Sequence, residues 1–447
     1  MPIEVELDVT RVAALFVHND AGVQELEVLA GALVDTGRWD PVFVLVGSRD
    51  FVERSTSRLA RWRVHTANRP DVEMPIGRLR TPRLLARQWR SYRASKSIAR
   101  GVLAATGAEV LVFPSVGPGR GIPVAAALLG GAAGIPSLCL PVASFQAIAI
   151  PRFLRATGAY DAARVDASLL HRVVARLRPD LVGAVDGEPI FFEWPPVEAL
   201  AASMARVEMR HPYWRDISDL RWPIAVRSPA DVDELLVARP PAGMIHVTGR
   251  PTDDLVARSL VAPTHGTRIL CALPQLAEHG FCDQAEADRR LRLLLEQLTA
   301  VPDAEVLVSL HPRIQGSAYT SLLATFDVAV LDRPLATSLG GATVLVAMGS
   351  STIELALAAG IDVVDLTCWF DHGMFERSSR ARARVDDERT VGEVVARVLA
   401  RRSDPAHRAA ALEDAPYWGT FDGQACVRIE RLLTELVGGG PAAPRRG

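Results

Sequence analysis

At 447 residues, 49% of them hydrophobic and 23% charged, the chain is long enough for two cores and too apolar for a disordered protein. Fifty Lys and Arg against 52 Asp and Glu leave a formal charge of −2, so a nucleic-acid partner is excluded for want of a global positive field. The five cysteines (Cys139, Cys271, Cys282, Cys368, Cys426) show no metal or redox spacing, which predicts buried thiols in a reducing cytoplasm. The opening MPIEVELDVT lacks the basic-then-apolar order of a signal peptide.

Arg11–Asn19 reads as a first buried strand, and His18-Asn19-Asp20-Ala21-Gly22 as the turn into a helix ending near Thr36. Pro41–Gly47 and Trp62–Ala67 are further strands. A long arginine-rich helix runs from Pro82 to Thr106, followed by the strand Glu109–Pro114, the loop Ser115–Gly121 and another helix. The strand Ser137–Ala143 is expected to close this alternating βα sheet. From Ile122 to Pro151 the chain is uncharged and long enough on paper to span a bilayer. Gly130, Gly131, Gly134, Pro136, Pro141 and Gln146 interrupt it, so it reads as buried core.

Helices are expected within Pro151–Leu177, then a hairpin in which Leu181–Val185 and Ile190–Glu193 flank a four-residue turn. Trp194 to Pro223 has no clean period. Pro240-Pro241 breaks the chain before a strand Met244–Thr248, and the domain junction is placed there. In the second half, Arg268–Leu273 is a strand, Gln284–Thr299 a helix, and Glu305–Leu310 a strand ending in His311-Pro312-Arg313. A helix Ser317–Thr325 and a strand Val328–Leu331 follow. Ala342–Leu366 then reads as strand (Thr343–Met348), Gly-Ser-Ser-Thr turn, short apolar helix (Thr352–Ala359) and strand (Asp362–Leu366). Thr390–Ala400 and Gly423–Val437 are terminal helices, and the tail GGGPAAPRRG reads as disordered.

Chemistry concentrates where these strands end. A strand emptying through Gly349, Ser350, Ser351 and Thr352 into a helix presents free N–H groups and a positive dipole end to a phosphate. The same residues allow a ligand-free reading, because Ser351 with Glu354 has the capping-box spacing. His311 sits at a strand's carboxyl end, where open α/β sheets bind ligands, with Pro312 fixing the turn and Arg313 adjacent. The loop Glu278-His279-Gly280-Phe281 offers His279 as a further ligand contact. In the first half, Asp20 or His18 is placed to take a proton, while Asp20 or Asn19 equally suits a helix cap. Arg80, Arg83, Arg87, Arg90 and Arg93 share one helical face, either solvated or turned to an anionic acceptor or a bilayer.

SLHPR at 309–313, followed one βαβ unit later by GSSTIE at 349–354, resembles the C-terminal half of GT-B glycosyltransferases. The branch it resembles most carries HP and Ser-Ser/Thr motifs: bacterial sialyl- and polysialyltransferases, capsule Kdo transferases and, more distantly, CDP-glycerol polymerases. The resemblance implies His311, Pro312 and Arg313 at the donor phosphate and base, Gly349, Ser350, Ser351 and Thr352 on the phosphates, and Glu354 on the ribose. It further implies a metal-independent cytoplasmic enzyme whose only small-molecule requirement is a CMP- or UDP-sugar, acting on a glycan, lipid-linked or small-molecule acceptor. His311 would assist the leaving group and Asp20, with His18 as alternative, would act as base. HVTGRPTDD at 246–254, which contains Gly249, is similar to UDP-N-acetylglucosamine 2-epimerases of the same shape. Their catalytic acids lie in two first-domain segments that here read FPSVGPG (113–119) and LPVASF (140–145), with no carboxylate. The expected fold is α/β GT-B: two Rossmann-like domains facing each other across a cleft. The expected bounds are 1–243 for the acceptor domain and 244–415 for the donor domain. A helix within 416–437 would pack back on the first domain, ahead of the tail 438–447.

Overall fold

The computed structural model describes residues 10–68, 80–118, 121–142, 149–157, 164–185, 188–191, 196–207, 221–236, 239–260, 266–310, 316–371, 373 and 380–438. The strands of the first half are β1 (Arg11–Val17), β2 (Trp39–Leu45), β3 (Arg63–Thr66), β4 (Val110–Phe113), β5 (Ser137–Cys139), the hairpin β6 (Val182–Val185) and β7 (Glu188–Phe191), β8 (Ile224–Val226) and β9 (Ile245–Val247). Seven of them form one parallel sheet in the order β3-β2-β1-β4-β5-β8-β9, and β6 and β7 pair antiparallel by themselves. The sheet therefore does not end at the strand beginning at Ser137. The strand placed at the start of the second domain pairs with Ile224–Val226 and completes the first sheet, so the junction lies after Val247. Three-residue strands such as β8 are too short to show any period.

Because the central strands are covered on both faces, β1 carries apolar residues at consecutive positions. Leu15 and Val17 face a core shared with Leu26, Leu29 and Phe43, while Phe16 faces the other side against Phe113, ring centroids 4.9 Å apart. The second face is closed by the helix Arg80–Thr106 through Tyr92, Ala99 and Val102, and by the helix Pro196–Met204 through Ala201 and Ala202. The first is closed by the last helix, Ala425–Val437, whose Cys426, Ile429, Leu432 and Leu433 join the first domain's core.

The second half builds a parallel sheet of β10 (Thr267–Ala272), β11 (Ala304–Ser309), β12 (Ala329–Val330), β13 (Val344–Ala347), β14 (Asp362–Asp365) and β15 (Arg382–Arg384), in the order β12-β11-β10-β13-β14-β15. Its cores are again two-sided: Ile269, Val308 and Val346 meet Leu294 and Leu298 on one face, and Leu270, Leu345 and Ile353 meet Trp418 on the other. β15 was not expected, since an edge strand reading Arg-Ala-Arg has no apolar run. Its Arg382 is held by the buried Asp365 at 2.6 Å. The helix Arg49–Arg58 likewise left little trace, with only Phe51, Val52 and Ser55 buried. Among the described residues no helix is long and apolar enough to cross a membrane.

Candidate functional site

Two sets of contacts show how the domains meet. At the carboxyl ends of β8 and β9, Arg227 and Arg250 reach Glu354 in the helix Thr352–Ala358 that follows β13, at 3.2 and 3.8 Å. The second set is carried by the helix Ala149–Ala156 from the first half. Its Phe153 stands edge-on to His279, Phe281 and Phe370, at 5.9, 5.5 and 6.1 Å, in loops after β10 and β14. Arg152 of the same helix lies 3.7 Å from Asp371. The carboxyl ends of the two sheets therefore face each other, and the candidate site is the space they enclose.

On the first-domain wall, β1 ends in His18, Asn19 and Asp20. Asn19 is the cap of the helix Asp20–Asp35: it is extended, and its Oδ1 accepts the Gly22 N–H at 2.7 Å. Asp20 lies in the first turn, 3.8 Å from Arg54 and partly exposed. His18 is open to solvent, yet enough protein surrounds it that desolvation lowers its pKa below the usual histidine value. That shift favours the neutral ring, which is the form a base or hydrogen-bond acceptor needs.

On the second-domain wall, Gly349 takes a left-handed φ of +49°, turning the chain out of β13. Ser350, Ser351 and Thr352 are half-buried. Thr352 donates to the Ser350 hydroxyl, 3.3 Å from its backbone N–H and 2.9 Å from its own hydroxyl. Ser351 has helical dihedrals and makes no side-chain cap bond. The capping box allowed by the sequence is therefore not formed, and Glu354, whose spacing suggested it, is taken by Arg227. His311, Pro312 and Arg313 lie outside the described residues. His279 packs in the aromatic cluster around Phe153. Gly249, at φ +81°, turns the chain from β9 into the helix Pro251–Ser259 under the last helix; a Cβ there would lie 2.8 Å from Ala425 Cβ.

Glu354 thus belongs to a buried ionic network that bridges the domains, and Gly249 lies in the turn beside it. Arg227 donates to Asp253 at 3.0 Å and to Glu354 at 3.2 Å, while Arg250 reaches Asp231 at 3.5 Å. Burial works against the Arg227 cation, but Asp253, Glu354 and Asp231 together raise its pKa and keep it charged. Glu25 binds Thr252, and Asp254 accepts the backbone N–H groups of Ala425 and Cys426. Sequence reading missed this network because its members lie far apart in the chain. The one local hint was arginine or aspartate directly after short apolar strands.

Carboxylates outnumber guanidinium groups here, and Glu234 carries the consequence. Burial first, then Glu354 and Asp231, push its pKa up to about 9, and its buried Oε1 has no hydrogen-bond partner. The folded state therefore holds a proton that the unfolded chain releases near its ordinary value, so this residue's contribution to stability declines as pH rises between the two. Glu234→Gln should match the parent in mild acid and exceed it by a few kcal/mol at pH 9, the cost of an unpaired buried charge. Urea unfolding across that range checks the slope. A parallel pH dependence in both proteins would show that Glu234 ionises freely.

Among the described residues no cluster of His, Cys, Asp or Glu is arranged to hold a metal. No family model and no curated protein matches the chain. Solved structures do. The glycosyltransferase of kitacinnamycin superposes over 95% of this chain and 99% of its own with a TM-score of 0.54 at 14% identity. CalG4, the calicheamicin glycosyltransferase, matches over 97% and 99% with 0.52 at 14%. UDP-GlcNAc 2-epimerase from Neisseria meningitidis, solved bound to UDP-GlcNAc, matches over 95% and 100% with 0.52 at 13%. Identities this low establish a shared fold, and that fold is GT-B.

Proposed function

We propose that this GT-B chain is a glycosyltransferase that moves a sugar from a CMP- or UDP-activated donor to a hydroxyl of a glycan, lipid-linked or small-molecule acceptor. The donor lies on the second domain, its phosphates against Gly349, Ser350, Ser351 and Thr352 and the segment 311–313. His18 receives the acceptor proton. The acceptor oxygen bonds to the anomeric carbon, the bond from that carbon to the phosphate oxygen breaks, and the electron pair leaves with the nucleotide. Charge on the leaving group is met by Arg313, His311 and the turn hydroxyls, without a metal.

The observation that carries the reading is the division of labour after β1. Asn19 is consumed by the cap, whereas His18 stays exposed at the carboxyl end of a buried strand. Asp20, in the first turn of the helix and 3.8 Å from Arg54, is the alternative base. The fold equally accommodates a UDP-sugar 2-epimerase or hydrolase, but the segments 113–119 and 140–145 supply no carboxylate for that chemistry.

Thermal unfolding with CMP, CDP, UDP and GDP tests the donor, since a ligand that binds only the folded state raises the midpoint. CMP or UDP should stabilise the chain, and Ser351→Ala, whose hydroxyl caps nothing, should weaken that nucleotide about tenfold or more. No shift with any nucleotide would remove the donor assignment. Nucleotide release should require an acceptor and survive a chelator. Release without acceptor would identify the epimerase or hydrolase, and binding without release a silent subunit.

A further inference from the structure

We infer that the outer face of the helix Leu169–Leu177 docks on an anionic lipid bilayer. The helix is well anchored: Ser168 accepts the His171 N–H at 3.2 Å, Val174 is fully buried, and His171 packs edge-on to Phe191 at 5.5 Å. Its other face is inverted for a soluble helix. Leu169, Val173 and Leu177, spaced by four residues along one stripe, are 70%, 42% and 63% exposed. Between them stand the exposed Arg172 and Arg176, and the helix has no acidic residue. Aliphatic side chains flanked by guanidinium groups suit the boundary between acyl chains and anionic headgroups.

The surrounding charge agrees. The helix Leu169–Leu177 packs against Pro196–Met204, which packs in turn against Arg80–Thr106. That last helix carries seven basic and no acidic residues in a chain whose formal charge is −2. Arg83, Arg87, Arg90 and Arg93 on it are exposed. That helix lies beyond Pro196–Met204 from the apolar stripe, and its positive charge would add attraction to acidic lipid. Since none of the described helices can span a membrane, the contact is interfacial. It stands independently of the nucleotide reading.

Sedimentation of the full chain with vesicles tests this. It should pellet with mixed phosphatidylcholine and phosphatidylglycerol vesicles, pellet less as salt rises, and stay in solution with phosphatidylcholine alone. Leu169→Gln/Leu177→Gln should lose at least about tenfold in partitioning, and Arg172→Gln/Arg176→Gln should lose the preference for phosphatidylglycerol. Both should unfold at the parental temperature because the replaced side chains face solvent. The inference fails if the parent stays in the supernatant or the variants pellet like it. It also fails if light scattering shows a dimer that the leucine variant makes monomeric, because a second copy would then cover the stripe.

Discussion

His18→Ala is expected to lose on the order of 10²-fold or more of turnover while folding and binding nucleotide as the parent does. The imidazole is exposed, so its removal opens no cavity. The donor contacts assigned above lie on the other domain, so nucleotide affinity should stay unchanged. The pH profile separates a base from a mere contact. Desolvation lowers the His18 pKa, so kcat/KM should hold level through neutrality and fall only in acid, below the ordinary histidine value of about 6.5. Asp20→Asn is the matching control, since Asn19 and not Asp20 caps the helix. If Asp20→Asn is inactive and His18→Ala is not, the base is Asp20. If both variants keep parental rates, the proton goes to neither and the catalytic assignment on this wall is lost.

Arg227→Met should destabilise the chain by about 3–5 kcal/mol, the usual cost of stranding buried charges. The side chain is 1% exposed and is bonded to Asp253 and Glu354, which are buried as deeply. Methionine fills much of the volume but leaves two carboxylates to share Arg250, whose distance to Glu354 is 3.8 Å. The deficit should shrink as pH falls, because a stranded carboxylate relieves its cost by taking a proton. Urea unfolding at neutral pH and again in mild acid measures both effects. A loss under about 1 kcal/mol would mean that water enters the network and that the interdomain contact is looser than its burial indicates.

Both predictions rest on residues that differ in how visible they were. The longer strands of both domains and the helices Asp20–Asp35 and Gln284–Thr299 were legible, because buried parallel strands are continuous apolar runs and these helices have clear caps and periods. His18, Asn19 and Asp20 were recognisable as a strand-end cluster, yet which of them capped the helix was open. A hydrogen bond of 2.7 Å from Gly22 decides for Asn19. Glu354 shows the opposite case. Its spacing from Ser351 argued for a local cap, but Arg227, 127 residues earlier, claims its carboxylate.

Local pattern by itself determined that this is a two-domain α/β chain with hydroxyl-lined turns at the carboxyl ends of its strands. Backbone period and turn chemistry are properties of neighbouring residues. Only the tertiary structure decided that the strand Ile245–Val247 completes the first sheet and that Arg227, Arg250, Asp253 and Glu354 form one buried network. Strand pairing and charge pairing across such separations depend on which surfaces come together after folding. No short window of sequence carries that information.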